Sequence, residues 1–65
     1  MRNRLRELRT ARGWTQEELG RKLGVSRQAV IALEGHRHDP SLDLAYRIAA
    51  LFGEAVETIF INPHG

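Results

Sequence analysis

Arg27 and Gln28 stand side by side in the chain. An arginine guanidinium carries a fork of donors that matches guanine O6 and N7, and a glutamine amide matches adenine N6 and N7. A few residues on come Ile31 and Ala32, whose methyl groups suit the thymine C5-methyl. A helix advances about 100° per residue. If Val30 and Leu33 point inward, Gln28, Ile31 and Ala32 point outward, and Arg27 reaches the same side from the first turn. Ile31 has two readings here. It is a base contact, or a lone surface hydrophobe of the kind that most proteins carry.

Other chemistry is poorly supplied. There is no cysteine, no Gly-x-Ser-x-Gly and no glycine-rich phosphate loop. Glu17 and Glu18 are adjacent, so on a helix they do not face each other as an acid and base. A chain of 65 residues has little material to enclose a catalytic pocket of roughly 300 Å³. An enzyme is therefore not expected, and no cofactor. His36, His38 and Asp39 are close in sequence, but neighbouring loop residues seldom complete a tetrahedral metal site without cysteine or a distant histidine. No metal is expected. Trp14, Tyr46, Phe52 and Phe60 fall at helical spacings and read as core, with Tyr46 partly exposed.

The elements that must carry Arg27 and Gln28 are short helices punctuated by glycine. Leu5 and Leu8 share a face of a first helix that ends near Arg12, before Gly13. Thr15-Gln16-Glu17-Glu18 is a capping box that starts a second helix at Gln16; Leu19 and Leu23 are its apolar positions and Gly24 closes it. Ser26 caps a third helix over about 27–34. Gly35 to Pro40 is a polar loop. Ser41 caps a fourth helix, with Asp43 in its first turn and a stripe of Leu44, Ala45, Ile48, Ala49, Leu51 and Phe52. Gly53 stops it, and Val56, Ile59 and Phe60 suit a short fifth helix. Asn62, before Pro63, is extended. The fold class is all-α, with five helices in one domain over residues 1–65 and no internal sheet.

Residues 15–34, TQEELGRKLGVSRQAVIALE, meet the demands of a helix-turn-helix one by one. Two helices that cross steeply over a short turn need a tiny residue at the crossing, and Gly20 is there. The turn needs a residue that accepts positive φ, and Gly24 follows four positions later. Val25 can pin the turn to the core. A mid-helix glycine loses roughly 0.5–1 kcal/mol relative to alanine, and close helix approach at Gly20 is the compensating gain we expect.

Net charge is only +2, but it is unevenly spread. In residues 1–27, eight basic side chains face three glutamates; in residues 28–65, two arginines face five acidic groups. This asymmetry fits a polyanionic partner for one face, and equally an arginine-rich first helix that is merely solvated. No apolar run nears the ~20 residues of a membrane span, and the basic start is not followed by the apolar core of a signal peptide. Lack of cysteine fits a reducing cytosol, so a cytoplasmic location is expected.

Taken together, residues 3–61 resemble the lambda-repressor-like, XRE/Cro-type helix-turn-helix proteins. The likeness rests on Asn3-Arg4, Arg6-Glu7-Leu8-Arg9, Gly13, Thr15 to Leu19, Leu23 to Gln28, Ala32, Glu34, Pro40-Ser41-Leu42, Leu44-Ala45, Ile48-Ala49, Phe52-Gly53, Glu57 and Ile59-Phe60. It is nearest to the compact single-domain bacterial members. The resemblance implies that Gln16, at the front of the second helix, bonds a DNA phosphate, helped by the backbone N–H groups there. It puts Ser26, Arg27, Gln28 and Ala32 at groove-facing positions, Ser26 toward phosphate and the others toward bases. Arg37 matches a phosphate contact, and His38 lies beside it. Arg9 and Glu34 match a structural ion pair between the first and third helices. Two departures stand out. Glu34-Gly35-His36-Arg37 replaces the usual Glu-Asn-Gly-Lys, so the end of the reading helix should differ in shape. Ile31 replaces a residue that is usually small or polar, so no base preference carries over.

The C-terminal segment raises the question of a partner. Val56, Ile59, Phe60 and Ile61 form an apolar group that a two-fold interface would bury; the competing reading has them cap the monomer core from below. Compact members of the family are often homodimers built around this region, some pairing their terminal segments, here 1–3 and 61–62, as short strands. The expected function is sequence-specific binding of double-stranded DNA by a homodimer, most simply a transcriptional repressor on an inverted repeat. The alternative is an antitoxin-like or adaptor module that presents Ile31, Tyr46 and the C-terminus to another protein.

Overall fold

Five helices carry the chain, in the order α1 (Leu5–Ala11), α2 (Gln16–Leu23), α3 (Arg27–Glu34), α4 (Leu42–Phe52) and α5 (Val56–Ile59). They are seen in a computed structural model that describes residues 1–65. Local chemistry explains where three of them start. The Thr15 hydroxyl accepts from the Glu18 N–H while the Glu18 carboxylate accepts from the Thr15 N–H, both at 3.0 Å. Ser26 and Ser41 cap α3 and α4 by accepting from the N–H groups of Ala29 and Leu44, each at 3.1 Å. Each hydroxyl satisfies one of the donors that a helix start leaves unpaired. For α1 the side chain of Asn3 serves instead, accepting from the Leu5 N–H at 3.0 Å.

The helix ends share one device. After α1, α2 and α4 the chain turns through a left-handed glycine: Gly13, Gly24 and Gly53, with φ of 72°, 75° and 67°. The residue after each donates back to a carbonyl inside the helix: Trp14 to Arg9, Val25 to Gly20, Glu54 to Ala49. This is the Schellman closure. The fourth case, after α3, has the same bonds: His36 N–H to Leu33 at 3.1 Å and Arg37 N–H to Ala32 at 3.1 Å. There the left-handed residue is His36, at φ 61°, and Gly35 lies at φ −81°. The shifted glycine thus leaves a histidine in the conformation that glycine holds elsewhere.

All five helices meet at one point. Leu5, Leu19, Val30, Leu33, Ile48 and Ile59 are wholly buried there, at least one from each helix. Burying an aliphatic side chain of this size contributes roughly 1.5–3 kcal/mol, and no single helix here is long enough to stand without that contribution. The termini close the structure. Arg4 N–H donates to the Ile59 carbonyl and Ile61 N–H to the Arg2 carbonyl, both at 2.9 Å, which makes an antiparallel bridge between Asn3 and Phe60. The two terminal segments therefore pair within one chain.

Two expectations change. Ile59 and Phe60 were candidates for a dimer interface, but they are 0% and 4% exposed. The bridge to Asn3 pulls the end of α5 under the core, so these side chains have no surface left to offer a partner. Trp14 sits at the core's edge, half-buried. Its ring lies 5.7 Å from Phe52, with the Arg12 guanidinium 5.3 Å and the Lys22 ammonium 4.6 Å from its centroid. The indole covers the apolar core while its π faces meet cations.

Candidate nucleic-acid interface

The interface begins at Gly20. A Cβ there would lie 2.8 Å from the Val25 carbonyl oxygen, a backbone atom that cannot step aside. Glycine is the residue that lets the α2–α3 turn fold back onto α2, and the Val25 N–H then bonds the Gly20 carbonyl at 2.9 Å. The turn launches α3 with Val30 and Leu33 inward and Arg27 and Gln28 exposed on its first turn. Ile31 and Ala32 are half-buried. Ile31 is thus no fully exposed hydrophobe: it lines an open, polar groove with Arg6, Thr15, Gln16, Arg27 and Gly35.

Ser26 is exposed. Its oxygen is used as the cap of α3, which leaves the O–H as a donor toward whatever approaches. Gln16 is half-buried at the front of α2, where its amide donates to Glu34 Oε1 at 3.3 Å. Glu34 is the hub of this corner. Arg9 meets it twice, Nε to Oε2 at 2.6 Å and Nη2 to Oε1 at 3.1 Å. Arg9 also donates to the Trp14 carbonyl at 2.8 Å. The two side chains are only 12% and 4% exposed. A buried pair of this kind holds together because every donor and acceptor is matched; it ties α1 to the end of α3 and orients Gln16.

Arg37 and His38 are exposed in the loop after α3. Asn3 helps to fix that loop's root by donating to the Leu33 carbonyl at 2.9 Å, and the His36 ring lies 3.1 Å from the Met1 carbonyl. Asn3 belongs to the family pattern, but the sequence gives it no such contact, because nothing local marks a side chain that reaches thirty residues ahead. His36, His38 and Asp39 do not gather into a set of three or more groups able to hold a metal. Of the C-terminal candidates, Val56 is half-buried and Ile61 is 50% exposed. Leu42 and Tyr46, one turn apart on α4, are 68% and 61% exposed; only Tyr46 had been picked out for exposure.

A capped α2, a tight glycine-bearing turn and an α3 that shows polar side chains outward are the parts of a helix-turn-helix, and residues 5–59 match the model of that name, helix-turn-helix. The chain belongs to the helix-turn-helix family. It is 52% identical over 61 residues to an uncharacterized HTH-type transcriptional regulator of Methanocaldococcus jannaschii, covering 94% of this chain and 92% of that one. It is 55% identical over 62 residues to another HTH-type transcriptional regulator, from Methanothermobacter thermautotrophicus, covering 94% and 90%. Among solved structures it is similar to the restriction-modification controller protein C.AhdI of Aeromonas hydrophila, with a TM-score of 0.76 at 35% identity over 88% of this chain and 83% of that one. A hypothetical transcription factor from Neisseria has the same TM-score and identity, over 92% and 69%. This helix-turn-helix protein is a transcriptional regulator of an all-α, DNA-binding and non-enzymatic class. No helix in it is long and apolar enough to cross a membrane.

Proposed function

We propose that the chain, acting as one unit over residues 1–65, reads a specific double-stranded DNA sequence in the major groove as a homodimer on an inverted repeat. The observation that carries this reading is the state of Arg27 and Gln28. Both are exposed on the first turn of α3, and Arg27 belongs to none of the chain's ion pairs. Their donors and acceptors are free for guanine and adenine edges, with Ile31 and Ala32 behind them to meet thymine methyls. Gln16, Ser26, Arg37 and His38 flank this face and serve phosphates, which set register without reading sequence.

The homodimer follows from the need to place two reading helices ~34 Å apart on successive major-groove faces. With Ile59 and Phe60 in the core, the contact falls to Ile61 and Val56, and to Leu42 and Tyr46 on α4. A protein that occupies a DNA site excludes others from it, so repression, in the cytoplasm, is the sign we propose. Selection from a random duplex library tests the reading: it should enrich a half-site that Arg27→Ala and Gln28→Ala abolish. A library with no enriched half-site would overturn it and favour the rival reading, an antitoxin-like or adaptor module that presents Ile31, Tyr46 and the C-terminus to another protein. Sedimentation showing a monomer at high micromolar concentration would overturn the dimer.

A further inference from the structure

The groove beside α3 holds more positive charge than the reading above uses. Arg6 on α1 lines it together with Thr15, Gln16, Arg27, Ile31 and Gly35. Three of the nine arginines are paired with acids. Arg4 is held by Glu7 and Glu54, Arg9 by Glu34, and Arg47 by Asp43. The other six, Arg2, Arg6, Arg12, Arg21, Arg27 and Arg37, are exposed and have no acidic partner, and of these Arg6 and Arg27 line the groove. Yet α1 and α3 bring both to the same groove. Arg9 is paired there with Glu34, so Glu17 is the one lining acid that remains, and the free guanidiniums outnumber it.

The placement has a structural cause. Leu5 is wholly buried and Arg9 is turned to Glu34. Arg6 is one turn before Arg9 on the same side of α1, so the anchoring of Arg9 aims Arg6 past the end of α3. The residue at that end is Gly35, which lines the groove and has the Arg37 guanidinium against it, Nε 3.5 Å from where a Cβ would stand. Two unpaired like charges directed at one open, polar groove repel each other in the free protein, and an anion between them relieves that repulsion. A guanidinium is well suited to it, because its fork matches two phosphate oxygens.

We infer that this groove seats a phosphate of the DNA backbone, with Arg6 supplying a contact from α1 that is independent of base reading. The inference rests on the DNA-binding reading of α3 and adds the first helix to the contact surface. Arg6 then holds the strand from α1, and the unequal charge of the two halves of the chain acquires a place: the basic half faces the backbone.

The test measures binding to a short random-sequence duplex across a series of salt concentrations. Each lost phosphate contact lowers the slope of log K against log salt by about 0.9. Arg6→Ala should lower it by that amount and leave the half-site enriched from a library unchanged. Arg6→Lys should restore the slope, since an ammonium still neutralises a phosphate. Arg12→Ala removes the same charge from above the Trp14 ring, on another side of α1, and should leave the slope where it was. An unchanged slope in Arg6→Ala, or an equal loss in Arg12→Ala, would overturn the inference while leaving the reading helix in place. A wild-type protein with no salt-dependent binding would instead remove the DNA reading itself. Arg6 is exposed, and circular dichroism should show the variants folded as the wild type.

Discussion

The two ends of α3 are secured by different means. At its start, the α2–α3 turn is a matter of backbone: Gly20 allows a carbonyl to approach closer than any Cβ permits, Gly24 takes a left-handed φ without cost, and Ser26 caps the helix. At its end the same type of closure is made with a histidine in the left-handed position, and the anchoring comes from side chains far away in sequence. Arg9 grips Glu34, and Asn3 grips the Leu33 carbonyl. The difference teaches where tolerance lies. The front joint sets the crossing angle that defines the fold and admits almost no substitution. The rear joint is built from exchangeable groups, so the loop bearing Arg37 and His38 can vary while the helix stays put.

The largest effect should come from the rear joint's ion pair. Glu34→Ala leaves the Arg9 guanidinium buried without a counter-charge, and chemical denaturation should report a loss of about 3–5 kcal/mol. The pair itself is replaceable: Arg9→Met with Glu34→Leu should recover most of that loss, because two apolar side chains need no matching. If the double variant is as unstable as the single one, the rear joint is less exchangeable than the comparison holds.

Next comes the front joint. Gly20→Ala forces its Cβ against the Val25 carbonyl, and overpacking of this sort costs about 1–3 kcal/mol. Because the strain falls on the turn, DNA affinity should fall even where the variant is fully folded. A Gly20→Ala protein with unaltered stability and affinity would show that the turn has slack. His36→Gly works in the opposite direction. It relieves a left-handed side-chain conformation whose cost is roughly 1 kcal/mol, so the thermal midpoint should rise; a fall would mean that the contact between the His36 ring and Met1 outweighs the strain.

The smallest effect concerns pH at the start of α2. The hydrogen bond from the Thr15 backbone N–H, with that from the Thr15 hydroxyl next, holds the Glu18 carboxyl below the usual glutamate range. The group therefore stabilises the fold above its ordinary pKa, and that contribution disappears as pH falls through the lowered value. Wild type should lose thermal stability on acidification slightly faster than Glu18→Gln, which keeps the capping bond but has no charge to lose. Parallel pH profiles would show that the box works through geometry alone.

Much of this protein was legible from its residues. The starts of α2, α3 and α4 follow from Thr15, Ser26 and Ser41, and the ends of α1, α2 and α4 from Gly13, Gly24 and Gly53, because capping acts within one turn of chain. The inward stripe of Val30 and Leu33, and with it the outward set of Arg27 and Gln28, follows from helical periodicity alone. The pairing of Arg9 with Glu34 was implied by resemblance rather than by spacing. Only the tertiary structure could decide the rest. Ile59 and Phe60 are equally apolar as core or as interface, and the Asn3–Phe60 bridge makes them core. Arg4 and Arg6 are both arginines near the start of α1; the first is occupied by Glu7 and Glu54, and the second is left to face the groove. His36 carries no local signal that it will adopt a left-handed backbone, although the family pattern has glycine at that position; the structure shows α3 closing there as the other helices close at glycine. Helix signals operate between neighbours in sequence, whereas burial and charge pairing depend on which distant residues the fold brings within a few ångströms.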